Sequence, residues 1–566
     1  MKPMIKQFAY LKARLLPTVL AAAASLAPTA HAAAPGITGP TFNLTAQSAY
    51  LNQPDGSTVY SWGYGCSAVP AGYAPAAIAN PFCNSMQVPG PTLIVHEGDT
   101  VTVNLVNRLP TPAGNTSILF PGFQVTPGGG VKGLLAQEAV PGGTVTYAFT
   151  ATSPGTHSYY SGTQGDLQIE MGMYGAIIVL PAHVPASCTA GLPLTNPGGN
   201  AAAQSQWGES DFRLSQAAYD NPNSCYDREY LFQFAEMDPN IHTQALAQVN
   251  ALGNCTAGSV GCNLTVPTEP YHPAYFLING RSMPDDMDVN YGVEYPHQPY
   301  NGNPHLHPGE QVLLRIIGQG RWQHPFHEHA NHVRILARDG NLILTPDGNA
   351  LAGAPLFTTT TTPGQTMDGI FYFTGRGLNW DMYAHTPSSF SGDPLAMLPC
   401  TPDVNGYNTL GADGKAYSRV NYYEWCQDHD KPLEAAPFGD VNGGGPATLP
   451  NPLIFTNGNW YGGSPYLGPD ATLRATTTLR ETANGNGGSN GSAGCVTGTA
   501  GTSTSTPNCS NLLPSNAQAN PANERGFAFM WHSHNEREIT TNNVFPGGMM
   551  MMMLVDSREF VIDESN

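Results

Sequence analysis

Two short histidine runs limit what this chain can fold into: His324-Pro-Phe-His-Glu-His329, followed by Asn331-His332, and Trp531-His-Ser-His534. In a β-strand residues i and i+2 share a face, so His327 with His329, and His532 with His534, each present two imidazoles to one side. Two such strands laid side by side make a pocket of four ring nitrogens. Neutral imidazole suits copper, zinc, iron or nickel, so the runs point to a metal site and leave the metal open. A lone histidine more often satisfies a local hydrogen bond. Here six of the chain's 17 histidines fall in the two runs, with the i, i+2 repeat in both, which favours a metal held by His327, His329, His532 and His534, with His324 on the neighbouring position.

The surrounding sequence reads as all-β. Charged residues make up only 11%, Gly 63 and Pro 50 are plentiful, and strand-like runs are cut by turn residues at short intervals, as in a β-sandwich protein. Helix-period segments are hard to find. Residues 1–32 read as a secretory signal: Lys2, Lys6, Lys12 and Arg14 form a basic front, Leu15 to Ala27 an apolar core carrying Pro17, and Ala30-His-Ala32 a small-residue cleavage site. The mature chain is then expected to begin near Ala33, in the periplasm or outside the cell, with no membrane span left after signal removal. That removal takes four of the 22 basic residues and none of the 41 acidic ones, leaving a net charge of −23. Nucleic acid and anionic membrane surfaces are poor partners for such a chain, and cations good ones. Ten cysteines on an exported chain imply disulfides. Taken as sequence neighbours they pair as Cys66/Cys83, Cys188/Cys225, Cys255/Cys262, Cys400/Cys426 and Cys495/Cys509, although connectivity does not follow from sequence.

Strand patterns divide the chain. A first block, residues 41–181, holds Pro89 to Val106 with a turn at Glu97-Gly-Asp99, then Pro141 to Phe149 and Tyr174 to Leu180. After a linker at 182–224 a second block opens with Glu229 to Phe234 and runs through Tyr275 to Arg281, Pro308 to Ile317 and the first histidine run. A threonine-rich strand after Phe357 and Pro363 to Phe373 follow, and the block resumes at 522–562 with the second run. Residues 401–521 read as an insertion, of low complexity from Ala483 to Pro521. Loop-closure entropy grows slowly with length, so such an insertion need not unfold a sandwich.

Pro89 to Leu180 resembles the first cupredoxin domain of the multicopper oxidases, and the Ile-Asn-Gly-Arg281 strand followed by Pro308-Gly-Glu310 resembles a later one. The resemblance implies two Greek-key β-sandwich domains of cupredoxin type with a long loop insertion in the second, and copper as the metal. The family pattern His-Pro-X-His-Leu-His-Gly-His matches His324, His327 and His329. It implies a mononuclear blue copper at the first and a trinuclear cluster at the other two. The C-terminal pattern His-Cys-His, three residues, His, then Gly-Met meets His532, Ser533, His534, Glu538 and, further on, Gly548-Met549.

The departures are specific. Ser533 replaces the thiolate of the blue centre, and Glu538 its second imidazole. In the first domain Leu119-Phe-Pro-Gly122 and Tyr160-Ser-Gly162 stand where the family has four cluster histidines. His96 and His157 lie at positions without metal in the pattern and read as structural. Tyr159 and Tyr160 read as packed aromatics, and Met549 to Met553 as core, because a strand alternates its faces. His305 and His307 form a further i, i+2 pair without a partner strand, while Glu536 and Glu538 are equally ligands, supports for an imidazole or solvated charges. Two functions remain: a copper-dependent oxidoreductase with an altered, non-blue centre, or a non-catalytic scaffold for copper binding, storage or transfer, or a structural surface protein. The partner is a small-molecule substrate or electron donor, and an oligomer or second chain could complete the cluster.

Overall fold

The computed structural model describes residues 34–74, 83–189, 212–253, 255–306, 310–373 and 526–556, with short strand pairs between 401 and 489. The expected signal, the middle of the linker, His307, most of the insertion and four of the cysteines (400, 426, 495 and 509) lie outside the described residues.

Both halves are β-sandwiches, as expected for an all-β chain of this pattern. The first packs the sheet ordered Gly155–Tyr160, Tyr174–Leu180, Leu93–His96, Gly36–Thr38 and Gly72–Ala74 against the sheet Thr58–Cys66, Thr41–Asn52, Thr100–Asn107, Thr144–Thr150 and Thr126–Gly129. Alternation makes the core: along Thr100–Asn107, Val101, Val103 and Leu105 are buried while Thr100 faces water. The Glu97-Gly98-Asp99 turn, with Gly98 at φ 90°, passes the chain from one sheet to the other. The second sandwich sets Tyr275–Ile278, Arg228–Met237, Gln311–Gly318, Thr366–Tyr372, Val333–Arg338 and Asn341–Leu342 against His305–Leu306, Met550–Asp556, Gly526–Ser533, His324–Glu328 and Thr358–Thr361. From the insertion, Gly463–Ser464 pairs with Ala528 and Phe529. At its base, the Phe373 and Phe529 rings stand 5.3 Å apart.

Three of the neighbour disulfides form: Cys66–Cys83, Cys188–Cys225 and Cys255–Cys262. Met549, Met551 and Met553 pack in the second core, and Tyr159 is buried with its hydroxyl on the Pro91 carbonyl at 2.8 Å.

One element escaped the strand reading. Pro239–Leu252 is an α-helix, capped by Asp238, whose side chain accepts from the Asn240 amide. Pro at the first helical position and Gly253 just past the end are the local signals that mark it. The helix leaves the second sandwich and buries Ile241 and Ala245 in the core of the first. His242 is fixed there, its Nε2 3.1 Å from the Glu170 carbonyl.

The sandwiches share a buried polar seam. Arg315 Nε donates to Glu229 at 2.8 Å and its Nη1 to Thr156 at 3.2 Å. Thr156 gives its amide and hydroxyl to Asp368, which also accepts from Tyr219. Burial opposes the charge on Arg315, but Glu229 and Asp368 outweigh it and hold the guanidinium protonated. Removing one partner leaves a buried charge uncompensated. Arg315→Ala is therefore expected to destabilise the fold by about 3–5 kcal/mol, read as a lower urea midpoint. An unchanged midpoint would mean that the seam carries no stability.

Candidate metal centre

The two runs meet on one sheet. His324–Glu328 pairs antiparallel with Gly526–Ser533 in the register Phe326↔Ser533, His327↔His532 and Glu328↔Trp531, with Thr358–Thr361 on its other edge. Positions 203 residues apart in sequence become cross-strand neighbours: His532 Nε2 lies 3.2 Å from His329 Nε2.

Alternation sorts the side chains. His324, Phe326 and Glu328 are buried and Pro325 and His327 are half-buried, while Trp531 and Ser533 turn into the core and His534 is exposed. The outer face gathers four imidazoles. Ring centroids stand 4.7 Å apart for His327–His329, 5.7 Å for His327–His532, 5.0 Å for His327–His534, 5.2 Å for His329–His532 and 5.4 Å for His532–His534. His327 Nδ1 contacts Thr358 Oγ1 at 2.9 Å, and His532 Nδ1 donates to the Ser533 carbonyl at 2.7 Å. That bond places the His532 proton on Nδ1 and leaves Nε2 as the nitrogen with a lone pair. Beneath them the Trp531 indole donates to the His329 carbonyl at 3.0 Å.

Burial, and then the neighbouring His329, push the His327 pKa down to about 4. Burial also lowers that of His532. Both rings are therefore neutral and available as ligands at neutral pH. Two nitrogens on one tetrahedral metal with bonds of about 2.0–2.1 Å stand about 3.3 Å apart, close to the spacing of the paired Nε2 atoms. This spacing suits two ligands of one ion, while among the described residues no group of three His, Cys, Asp or Glu side chains is placed to hold a metal ion.

His324 belongs elsewhere. It lies three residues from His327, so period 2 puts it on the opposite face of the strand from the four outer imidazoles. Its ring is buried with Nδ1 2.9 Å from Glu538 Oε2 and Nε2 2.9 Å from Glu236 Oε2. Burial opposes charge here, but the bonds to Glu236 and Glu538 outweigh it and raise the pKa to about 9. Glu538 also accepts from Ser533 Oγ and, through Oε1, from Asn535 Nδ2 at 2.9 Å. Glu236 accepts at Oε1 from the Arg321 and Trp322 amides at 2.7 and 2.8 Å. Gly320, at φ 66°, passes so close that an added Cβ would crowd Glu236. Glu236 was not apparent from sequence. It lies 88 residues from His324, and its strand reads as an ordinary apolar run.

Glu328, where the family pattern has Leu, is fully buried, and burial raises its pKa to about 8. Glu536 is exposed beside His534. His305 opens a short strand paired with Leu554, apart from the histidine face. His157 bonds through Nε2 to the Ser153 carbonyl at 2.9 Å and packs on Phe123, and His96 is exposed on its turn beside Asp99. Leu119 and Tyr160, at the positions of the absent first-domain ligands, bridge one another at 2.7 Å from Leu119 N to Tyr160 O.

A family model described as "Multicopper oxidase" matches residues 80–183. Over those residues the chain is similar to a multicopper oxidase domain. "Multicopper oxidase MCE" of Talaromyces pinophilus is 40% identical over 107 residues, which is 18% of this chain and 17% of that protein. "Copper-containing nitrite reductase" of Pseudomonas chlororaphis is 40% identical over 96 residues, 17% of this chain and 25% of that protein. These matches thus span a quarter or less of the relatives' length. A solved blue copper oxidase from Nitrosomonas europaea aligns over 58% of this chain and 74% of its own, at 18% identity and a TM-score of 0.36.

The inner histidine has a pH signature. Its folded pKa of about 9 exceeds the ordinary value of about 6.5, so its stabilisation is fully present below about pH 6.5 and is lost as pH rises through about 9. The imidazole nitrogen resonances of His324 are expected to show a doubly protonated ring through pH 8, with stability falling above that. A singly protonated ring at pH 7 would refute the ion triad.

Proposed function

We propose that this chain is an exported copper protein of the multicopper oxidase family whose metal is held by His327, His329, His532 and His534, and that it is an oxidoreductase with a non-blue centre. The observation that carries this is the register His327↔His532, which brings four imidazoles together on one sheet face with His534 exposed at its edge. Export is supported by the secretory pattern of residues 1–32 and by disulfides such as Cys66–Cys83. Copper is supported by the donor set and by relatives named as multicopper oxidase and copper-containing nitrite reductase. Among the described residues no helix is long and apolar enough to cross a membrane.

Copper bound there would supply one-electron redox chemistry to a small molecule arriving from solvent. The chain's own contribution is positional. Thr358 fixes the rotation of His327, and the Ser533 carbonyl fixes the tautomer of His532. The low pKa of His327 keeps protons from competing with the metal. The exposed His534 edge leaves an approach for substrate, an electron donor or a further chain.

A second reading, copper storage or transfer without turnover, is favoured by Ser533: the thiolate that would relay electrons from a blue centre is absent, and its hydroxyl is spent on Glu538. Oxygen uptake on a phenol by the copper-loaded protein separates the two. Turnover supports the oxidoreductase, and copper without turnover supports the scaffold.

The loaded protein is expected to be colourless or weakly tinted, since Ser533 provides no thiolate-to-copper band. Copper titration by calorimetry tests the ligand set. His329→Ala/His534→Ala should weaken loading by at least about 10-fold, the loss that removal of a mere supporting partner causes, while His305→Ala/His307→Ala should leave it nearly unchanged. Equal affinities in the two variants would contradict the four-histidine site.

A further inference from the structure

The polar group on the inner face converges on one atom. Glu538 Oε2 accepts from His324 Nδ1 at 2.9 Å and from Ser533 Oγ. Residues 324, 533 and 538 are the positions at which the family pattern carries an imidazole, a thiolate and a second imidazole around a single copper. The side chains of 324 and 533 are both still aimed at a common point, and a carboxylate oxygen fills it. Asn535 Nδ2 holds the other oxygen of Glu538 at 2.9 Å, and Glu538 is only 1% exposed, so the carboxylate has no solvent into which to withdraw.

The aim of His324 is set from the opposite sheet. Glu236, on Arg228–Met237, accepts from His324 Nε2 at 2.9 Å and thereby fixes the direction of Nδ1. Two backbone amides and the close pass of Gly320 fix Glu236 in turn. An imidazole held by a carboxylate through its outer nitrogen is also how proteins orient a metal-binding histidine.

We propose that Glu538 Oε2 stands where the family's mononuclear copper would be, that this pocket is a copper site closed by a carboxylate, and that Glu236 is the positioning residue that keeps His324 aimed into it. The proposal is independent of the four-histidine site, which lies on the other face of the same strand. Opening the pocket requires two changes together. The carboxylate must give way to a neutral ligand, and a soft thiolate must replace the Ser533 hydroxyl, which is a poor copper ligand.

The test counts copper and reads the absorption spectrum of the full chain. Ser533→Cys alone is expected to bind no more copper than the natural sequence and to show no intense visible band, because Glu538 still fills the site. Ser533→Cys/Glu538→His is expected to bind one further copper per chain and turn intensely coloured. In that background Glu236→Ala should weaken the added site by about 10-fold or more, and Glu236→Gln, which keeps an acceptor for Nε2, should restore it. A coloured Ser533→Cys protein would overturn the closure by Glu538. So would a double variant that unfolds at the same temperature as the natural protein yet gains no copper. Equal copper affinity in the Glu236→Ala and Glu236→Gln backgrounds would remove Glu236 from the positioning role.

Discussion

The alternation of the strand His324–Glu328 is the constraint on which the site depends. A slip of one residue would exchange its two faces, sending His327 into the core and Phe326 into water. Two anchors prevent it. Phe326 is buried against Phe234, their centroids 4.5 Å apart, and across the strand pair Trp531 packs on Phe371 at 5.0 Å. The apolar core thus fixes the register of the imidazoles through the residues next to them in sequence.

One residue type consequently exists in two electrostatic states on a single short strand. His327, lowered first by burial and then by the neighbouring His329, loses its proton readily, with a pKa of about 4, whereas His324 faces two carboxylates that outweigh its burial and retains its proton to about 9. Metal competes with protons for a histidine, so the outer face is chemically open and the inner face is occupied by a proton and a carboxylate. The two faces of one strand thus hold the same side chain in opposite protonation states.

Much of this was legible in sequence because strand periodicity is short and local. The i, i+2 spacing gave the outer pairs, alternating apolar runs gave both sandwiches, and near-neighbour pairing gave three disulfides. Less accessible was whatever depends on distant approach. Glu236 reaches His324 only once two sheets stack, and Asp238-Pro239 begins a helix that crosses into the other sandwich, so each looks ordinary in its own stretch of chain. The seam through Arg315, Thr156 and Asp368 is of the same kind, since a charged residue inside an apolar strand does not name its partner.

The ring contact between Phe373 and Phe529 has a consequence for how such a chain can vary. Residues 374–525 leave the second sandwich and rejoin it at points only 5.3 Å apart, ring to ring. The entropy of closing such a segment rises only logarithmically with its length. Its described pairing with the host, Gly463–Ser464 on Ala528 and Phe529, is what a change in the segment must keep: the rest of the stretch can lengthen or shorten over generations while the histidine strands stay in place.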